Sequence, residues 1–137
     1  MRRAGLVVCL VLLSLALLPS PMLAATAPTV TTGEASNILR TTASLTGTIT
    51  SVGSSNVTTR GVQYGLTKMA TWDKHETGNF TAGQYTLGLT GLTPGTSYWF
   101  RAYATSAAGT GYGSWVSFTM KDYPIISTVA ASNLSGT

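Results

Sequence analysis

Histidine is the side chain best suited to acid–base or metal chemistry near neutral pH, and this 137-residue chain has one, His75, in the run Asp73-Lys74-His75-Glu76. Three of these four residues are potential ligands, but neighbours in an extended chain point to opposite faces, and no second His or Cys stands near to complete a transition-metal set. The run reads as a solvated polar loop. Serines and threonines are abundant as nucleophiles, yet only His75 is present as their base, and no G-x-S-x-G turn frames a serine. The four acids are Glu34, Asp73, Glu76 and Asp122; counting permits a glycosidase pair among them, but no pattern supports one. Gly109-Thr110-Gly111-Tyr112-Gly113 opens no helix and therefore cradles no phosphate. The expectation is a chain with no catalytic residue, no bound cofactor and no metal.

Binding chemistry has a better claim. Along Tyr98–Thr105 the residues alternate, with Tyr98, Phe100, Ala102 and Ala104 on one face and Trp99, Arg101, Tyr103 and Thr105 on the other. Trp115 is expected to point outward from the next strand, with Gln63 as a neighbour on a third. Trp, Tyr and Arg dominate interface hot spots, and exposed aromatic rings stack on sugars, so Trp99, Arg101, Tyr103, Trp115 and Gln63 form a candidate binding face for a surface protein or a polysaccharide. The competing use of the same residues is cross-strand pairing, which contributes roughly 0.2–1 kcal/mol per pair to the sheet itself.

The elements that position this face are short strands. Thr93-Pro94-Gly95-Thr96 is a reversal with Pro fixing φ and Gly tolerating positive φ. After the Tyr98 strand, Ala107–Gly111 predicts a loop of five residues or slightly more, and Tyr112–Met120 alternates again with Ser114, Val116, Phe118 and Met120 on one side. Thr42–Thr50 alternates with Ala43, Leu45, Gly47 and Ile49 inward. Val57–Gly65 follows a polar turn at Ser51–Asn56 and turns Val62 and Tyr64 inward, and Phe80–Thr90 turns Tyr85, Leu87 and Leu89 inward. Ala27–Thr32 reads as an edge strand, Gly33–Arg40 as a connection, and Lys68–Asn79 as irregular. Seven such strands predict an all-β, antiparallel Greek-key sandwich.

Several of these stretches carry a family resemblance. Leu92-Thr93-Pro94-Gly95-Thr96-Ser97-Tyr98 resembles the L-x-P-x-T-x-Y pattern of fibronectin type III domains, and the resemblance implies a tyrosine corner in which Tyr98 bonds back to nearby backbone with Leu92 and Pro94 packed around it. The run from Arg101 to Phe118 is similar to the last hairpin of the bacterial and archaeal surface versions of this domain, and Arg60–Gly65 resembles one of their earlier strands. The match spans Pro28 to Lys121 and implies an immunoglobulin-like sandwich.

Around this module lie two other segments. Residues 1–25 read as a helical secretory leader, with Arg2 and Arg3 ahead of the uncharged run Ala4–Leu18 and a cleavage site between 23 and 28; an uncleaved anchor is the competing reading, although a bilayer span needs about 20 apolar residues. Cleavage removes the only cysteine, Cys9, so the module at 26–121 must hold together without a disulfide. It also removes two of the eight basic residues, leaving six against four acids, a net charge of +2 that gives no footing for nucleic-acid binding. Residues 122–137 contain a second copy of the opening strand: Pro124–Thr137 aligns with Pro28–Thr41 at an offset of 96, with Pro124, Thr128, Ala131, Ser132, Asn133 and Thr137 identical to their counterparts. This reads as the start of a further module, truncated, or as a linker; a strand that adds to the sheet edge of a neighbouring molecule is the alternative. Asn56, Asn79 and Asn133 fit the N-glycosylation triplet.

The function expected from sequence is that of a non-catalytic, secreted or surface-displayed spacer and adhesion unit, beside neighbouring modules of its own type and not in the membrane once the leader is cut. The alternative is an accessory carbohydrate-associated module of a larger extracellular polysaccharide-degrading enzyme.

Overall fold

Alternation of apolar and polar residues becomes two faces only where both sides of a strand meet different surroundings, and the computed structural model, which describes residues 19–123, shows where that holds. Its strands are β1 (Thr29–Ser36), β2 (Ala43–Ser51), β3 (Val57–Gly65), β4 (Trp72–Phe80), β5 (Gly83–Leu89), β6 (Ser97–Ser106), β7 (Gly109–Tyr112) and β8 (Val116–Thr119). The leader's apolar run and the repeated segment 124–137 lie outside the described residues.

The strands form an antiparallel sandwich. One sheet has three strands in the order β1-β2-β5; the other has five, in the order β4-β3-β6 with β7 and β8 paired end to end along the far side of β6. The inner faces are those the alternation marks out. Ala43, Leu45, Gly47 and Ile49 of β2 lie opposite Leu89, Leu87, Tyr85 and Gly83 of β5, and Phe100, Ala102 and Ala104 of β6 are fully buried against them. Phe118 stacks on Tyr98 at 5.7 Å and meets Phe100 edge-on at 5.7 Å, a pair of geometries favoured by the ring quadrupole.

At the β5–β6 connection the Tyr98 ring is buried, and its hydroxyl oxygen accepts the Thr93 N–H at 3.0 Å. Leu92 is buried beside it and donates its own N–H to the Thr41 carbonyl; Pro94 is half-buried. A second tyrosine, Tyr85, reaches across the sandwich from the smaller sheet. Its hydroxyl lies 2.9 Å from the carbonyls of both Gly61 and Tyr103, which join β3 to β6.

Four local expectations give way. Residues 72–80, inside the stretch read as irregular, are the full-length strand β4, paired with β3 from Phe80 to Trp72. Nearly every residue of it is exposed, because the three-stranded sheet is too narrow to cover it. β1 continues through Gly33–Ser36, with irregular register between Thr32 and Ala35. The loop after β6 is only Ala107 and Ala108, so Gly109 and Gly111 belong to β7 and pair with Ser106 and Ala104. The last strand is interrupted at residues 113–115.

That interruption leaves Arg101 and Ala102 of β6 between the two pairings. The Thr32 hydroxyl of β1 accepts the Ala102 N–H at 3.0 Å, and the Gly113 N–H donates to the Ala102 carbonyl at 2.8 Å. Both backbone groups are thereby satisfied, as burial demands. β1 therefore ties the two sheets together at the break.

Candidate functional site

Side chains on the outer face of the five-stranded sheet follow from register. Trp99, Arg101 and Tyr103 of β6 lie opposite Gly65, Gln63 and Gly61 of β3, which in turn lie opposite β4 with Asp73 paired to Gln63 and His75 to Gly61. On the other side, Tyr103 is paired with Tyr112. This brings Trp99, Arg101, Gln63 and Trp115 onto one surface.

Cations organise the rings. Arg101 donates from Nε at 3.0 Å and from Nη2 at 2.9 Å to the Gln63 side-chain oxygen. With its fork fixed in this way, the guanidinium sits 4.0 Å from the centroid of Tyr112 and 4.8 Å from that of Trp115. Lys68, from the β3–β4 loop, places its ammonium 4.6 Å from the centroid of Trp99. Each contact lies within the roughly 6 Å over which a cation is attracted to a ring face.

Tyr103 does not belong to the solvated surface. It is only 8% exposed, because Gly61 opposite has no side chain and the ring settles into that gap: a Cβ on Gly61 would stand 2.8 Å from a Tyr103 ring carbon and 2.8 Å from the His75 Cβ. Burial, with the Asp73 carboxylate beside it, pushes the Tyr103 hydroxyl well above the usual tyrosine range. Tyr103 is the footing of the face. Tyr112, 47% exposed and 6.1 Å from Tyr103, takes the outer place. Strict alternation back from Phe118 would have turned Tyr112 inward; the break at 113–115 resets the parity.

The polar run on β4 divides between the two faces. Asp73 and His75 lie on the outer side and touch through Oδ2 and Nδ1, while Glu76 turns inward to the Arg60 guanidinium, 3.0 Å away. Arg60 is further held over the Phe80 ring at 4.1 Å and the Tyr85 ring at 5.1 Å. Among the described residues no three His, Cys, Asp or Glu side chains are grouped to hold one metal ion.

No family model matches the sequence, and no curated protein matches it. Solved structures do. The short form of the sensor domain of the anti-sigma factor RsgI4 from Pseudobacteroides cellulosolvens is similar at 17% identity and a TM-score of 0.57, over 72% of this chain and 98% of that one. A fibronectin type III domain from the human KIAA0970 protein is similar at 18% identity and a TM-score of 0.52, over 72% and 78% of the two chains. The sixth such domain of human fibronectin type III domain containing protein 3 is similar at 17% identity and a TM-score of 0.50, over 82% and 98%. The fold is fibronectin type III-like.

Proposed function

We propose that this chain is a non-catalytic extracellular module, a spacer and adhesion unit that contacts a surface protein or a polysaccharide through the outer face of its five-stranded sheet. The observation that supports this reading is the fixed array of Trp99, Arg101, Tyr112 and Trp115. Gln63 pins the guanidinium, and the guanidinium orders two of the rings, so little side-chain freedom is left to lose on contact. Pre-organisation of this kind raises affinity by lowering the ordering cost, roughly 0.5–1.5 kcal/mol for each immobilised side chain.

The test is the double variant Trp99→Ala, Trp115→Ala, compared with the parent chain for retention on cell surfaces and on insoluble polysaccharides. Loss of these two side chains is expected to weaken binding at least about thirtyfold, since even one hot spot contributes roughly 2 kcal/mol or more. Unchanged binding by a variant with native circular dichroism would remove the face from the account.

A further inference from the structure

The two sheets differ in width, and the consequence is a cleft at one side of the sandwich. β4 extends beyond the edge of the three-stranded sheet, so the inward side of Trp72, Lys74 and Glu76 has no opposing strand of its own. Lower down, Arg60 closes the gap by lying against Phe80 and Tyr85 while paired with Glu76. At the upper end nothing comparable fills it. There a cleft of about 230 Å³ opens between the start of β4 and the β5–β6 connection, walled by Tyr64, Trp72 and Tyr98 and rimmed by Thr90, Leu92 and Thr93.

The walls define what fits. Trp72 is 44% exposed, with its ring centroid 5.6 Å from Tyr64 and 6.4 Å from Tyr98. Tyr98 is in turn fixed by the Thr93 N–H and by Phe118, so the aromatic wall is anchored in the core. No charged side chain is among the residues that line the cleft, which argues against an anionic or cationic ligand. Thr90 and Thr93 are exposed hydroxyls on the rim, each able to donate and accept. The Tyr64 hydroxyl, like any tyrosine, is a donor at neutral pH, and burial, with Tyr98 and Asp73, pushes it further up. The volume is below the roughly 300–1,000 Å³ of pockets for drug-sized molecules, so the cleft takes one ring-sized group.

A half-exposed indole beside uncharged hydroxyls matches a pyranose ring, which has C–H groups on one face and hydroxyls around its rim. We infer that this cleft is a binding site for a single pyranose residue of a neutral saccharide, stacked on Trp72 and hydrogen-bonded by Tyr64, Thr90 and Thr93. It is separate from the outer face, which lies on the opposite side of the same sheet.

The three tryptophans provide the test, because each indole N–H gives its own resonance. The full chain, labelled with ¹⁵N, is titrated into the millimolar range with linear neutral gluco-, xylo- and manno-oligosaccharides, and separately with a charged oligogalacturonate and a proline-rich peptide. The expected result is a saturable shift of the Trp72 indole with at least one neutral sugar while Trp99 and Trp115 stay in place. Trp72→Ala should weaken that sugar's binding at least tenfold by calorimetry, and Tyr64→Phe, which removes one hydroxyl and keeps the ring, should weaken it severalfold without altering thermal stability by more than a few degrees. If all three indoles move, loss of binding in Trp72→Ala supports the cleft and retention overturns it. Silence with every neutral sugar overturns it, as does movement of Trp99 or Trp115 alone, which would support the outer face instead. A Trp72 shift produced only by the peptide or the charged sugar also overturns it.

Discussion

Gly111→Ala is expected to cost about 3 kcal/mol or more of folding stability, at or beyond the upper end of the usual cost of overpacking. A Cβ at this position would fall on the Pro28 carbonyl oxygen, far inside van der Waals contact, with the Pro28 carbonyl carbon 2.8 Å away. Both obstacles are backbone, so no rotamer change relieves them. The chain must either pull β7 away from β6 or lift the start of β1, and Thr32 of β1 is the acceptor for the Ala102 N–H. For a domain of this size each kcal/mol moves the midpoint by roughly 4–8 °C, so thermal unfolding followed by circular dichroism should show a fall of roughly 12 °C or more. Gly88→Ala is the control. No atom stands within 4 Å of a Cβ there, and a shift within about 0.5 kcal/mol is expected, as for most surface positions. Equal stability of the two variants would mean that β1 does not lie against β7.

Packing between strands explains what the sequence shows and what it hides. β2, β5 and β6 are legible from alternation because each has one face in the core and the other on the surface, so period two has full amplitude: Ala43, Leu45, Gly47 and Ile49 are buried on β2, and Tyr85, Leu87 and Leu89 on β5. β4 has one face open to solvent and the other covered only at its Glu76–Phe80 end, by Arg60. Trp72–Phe80 accordingly has polar residues on both sides, and only its pairing with β3 makes it a strand. The glycines of Gly109–Gly113 signal a loop when read locally, yet they sit in or beside a strand: β1 and the residue before it come too close to Gly111 and Gly113 for side chains, and Gly109 has a positive φ of 136°. Tyr103 is the equivalent case on the candidate face. Its burial depends on a glycine across the sheet, Gly61, and a partner 42 positions away becomes visible only with the register. Trp99, Arg101, Gln63 and Trp115 could be brought together from strand assignments alone. Tyr112 could not, since its side is set by the break after it, and the cleft at Trp72 depends on the unequal width of the two sheets, which no local pattern records.

Replacing Tyr85 by alanine and by phenylalanine separates packing from hydrogen bonding at the join between the sheets. The side chain is 4% exposed, and Gly47 leaves the space for its ring, since a Cβ there would stand 2.7 Å from the Tyr85 hydroxyl and 2.6 Å from the Ala102 Cβ. Tyr85→Ala empties that volume and is expected to cost roughly 3–5 kcal/mol, as for other buried aromatic truncations. Tyr85→Phe keeps the ring but removes the one proton shared by the Gly61 and Tyr103 carbonyls, with an expected loss of roughly 1–3 kcal/mol. Denaturant unfolding at neutral pH measures both. Alkaline pH provides an independent check, because burial pushes the Tyr85 hydroxyl from 10.0 up to about 12. Above pH 10 the unfolded chain ionises this group while the folded chain retains its proton; the unfolded state then binds fewer protons, and stability falls with rising pH. The contribution is complete below pH 10 and is lost as the pH climbs to about 12. Tyr85→Phe should make that decline shallower, with Tyr64 and Tyr103, whose hydroxyls are also raised, accounting for the remainder. A phenylalanine variant as stable as the parent, with the same alkaline slope, would show that the hydroxyl does not bridge β3 and β6.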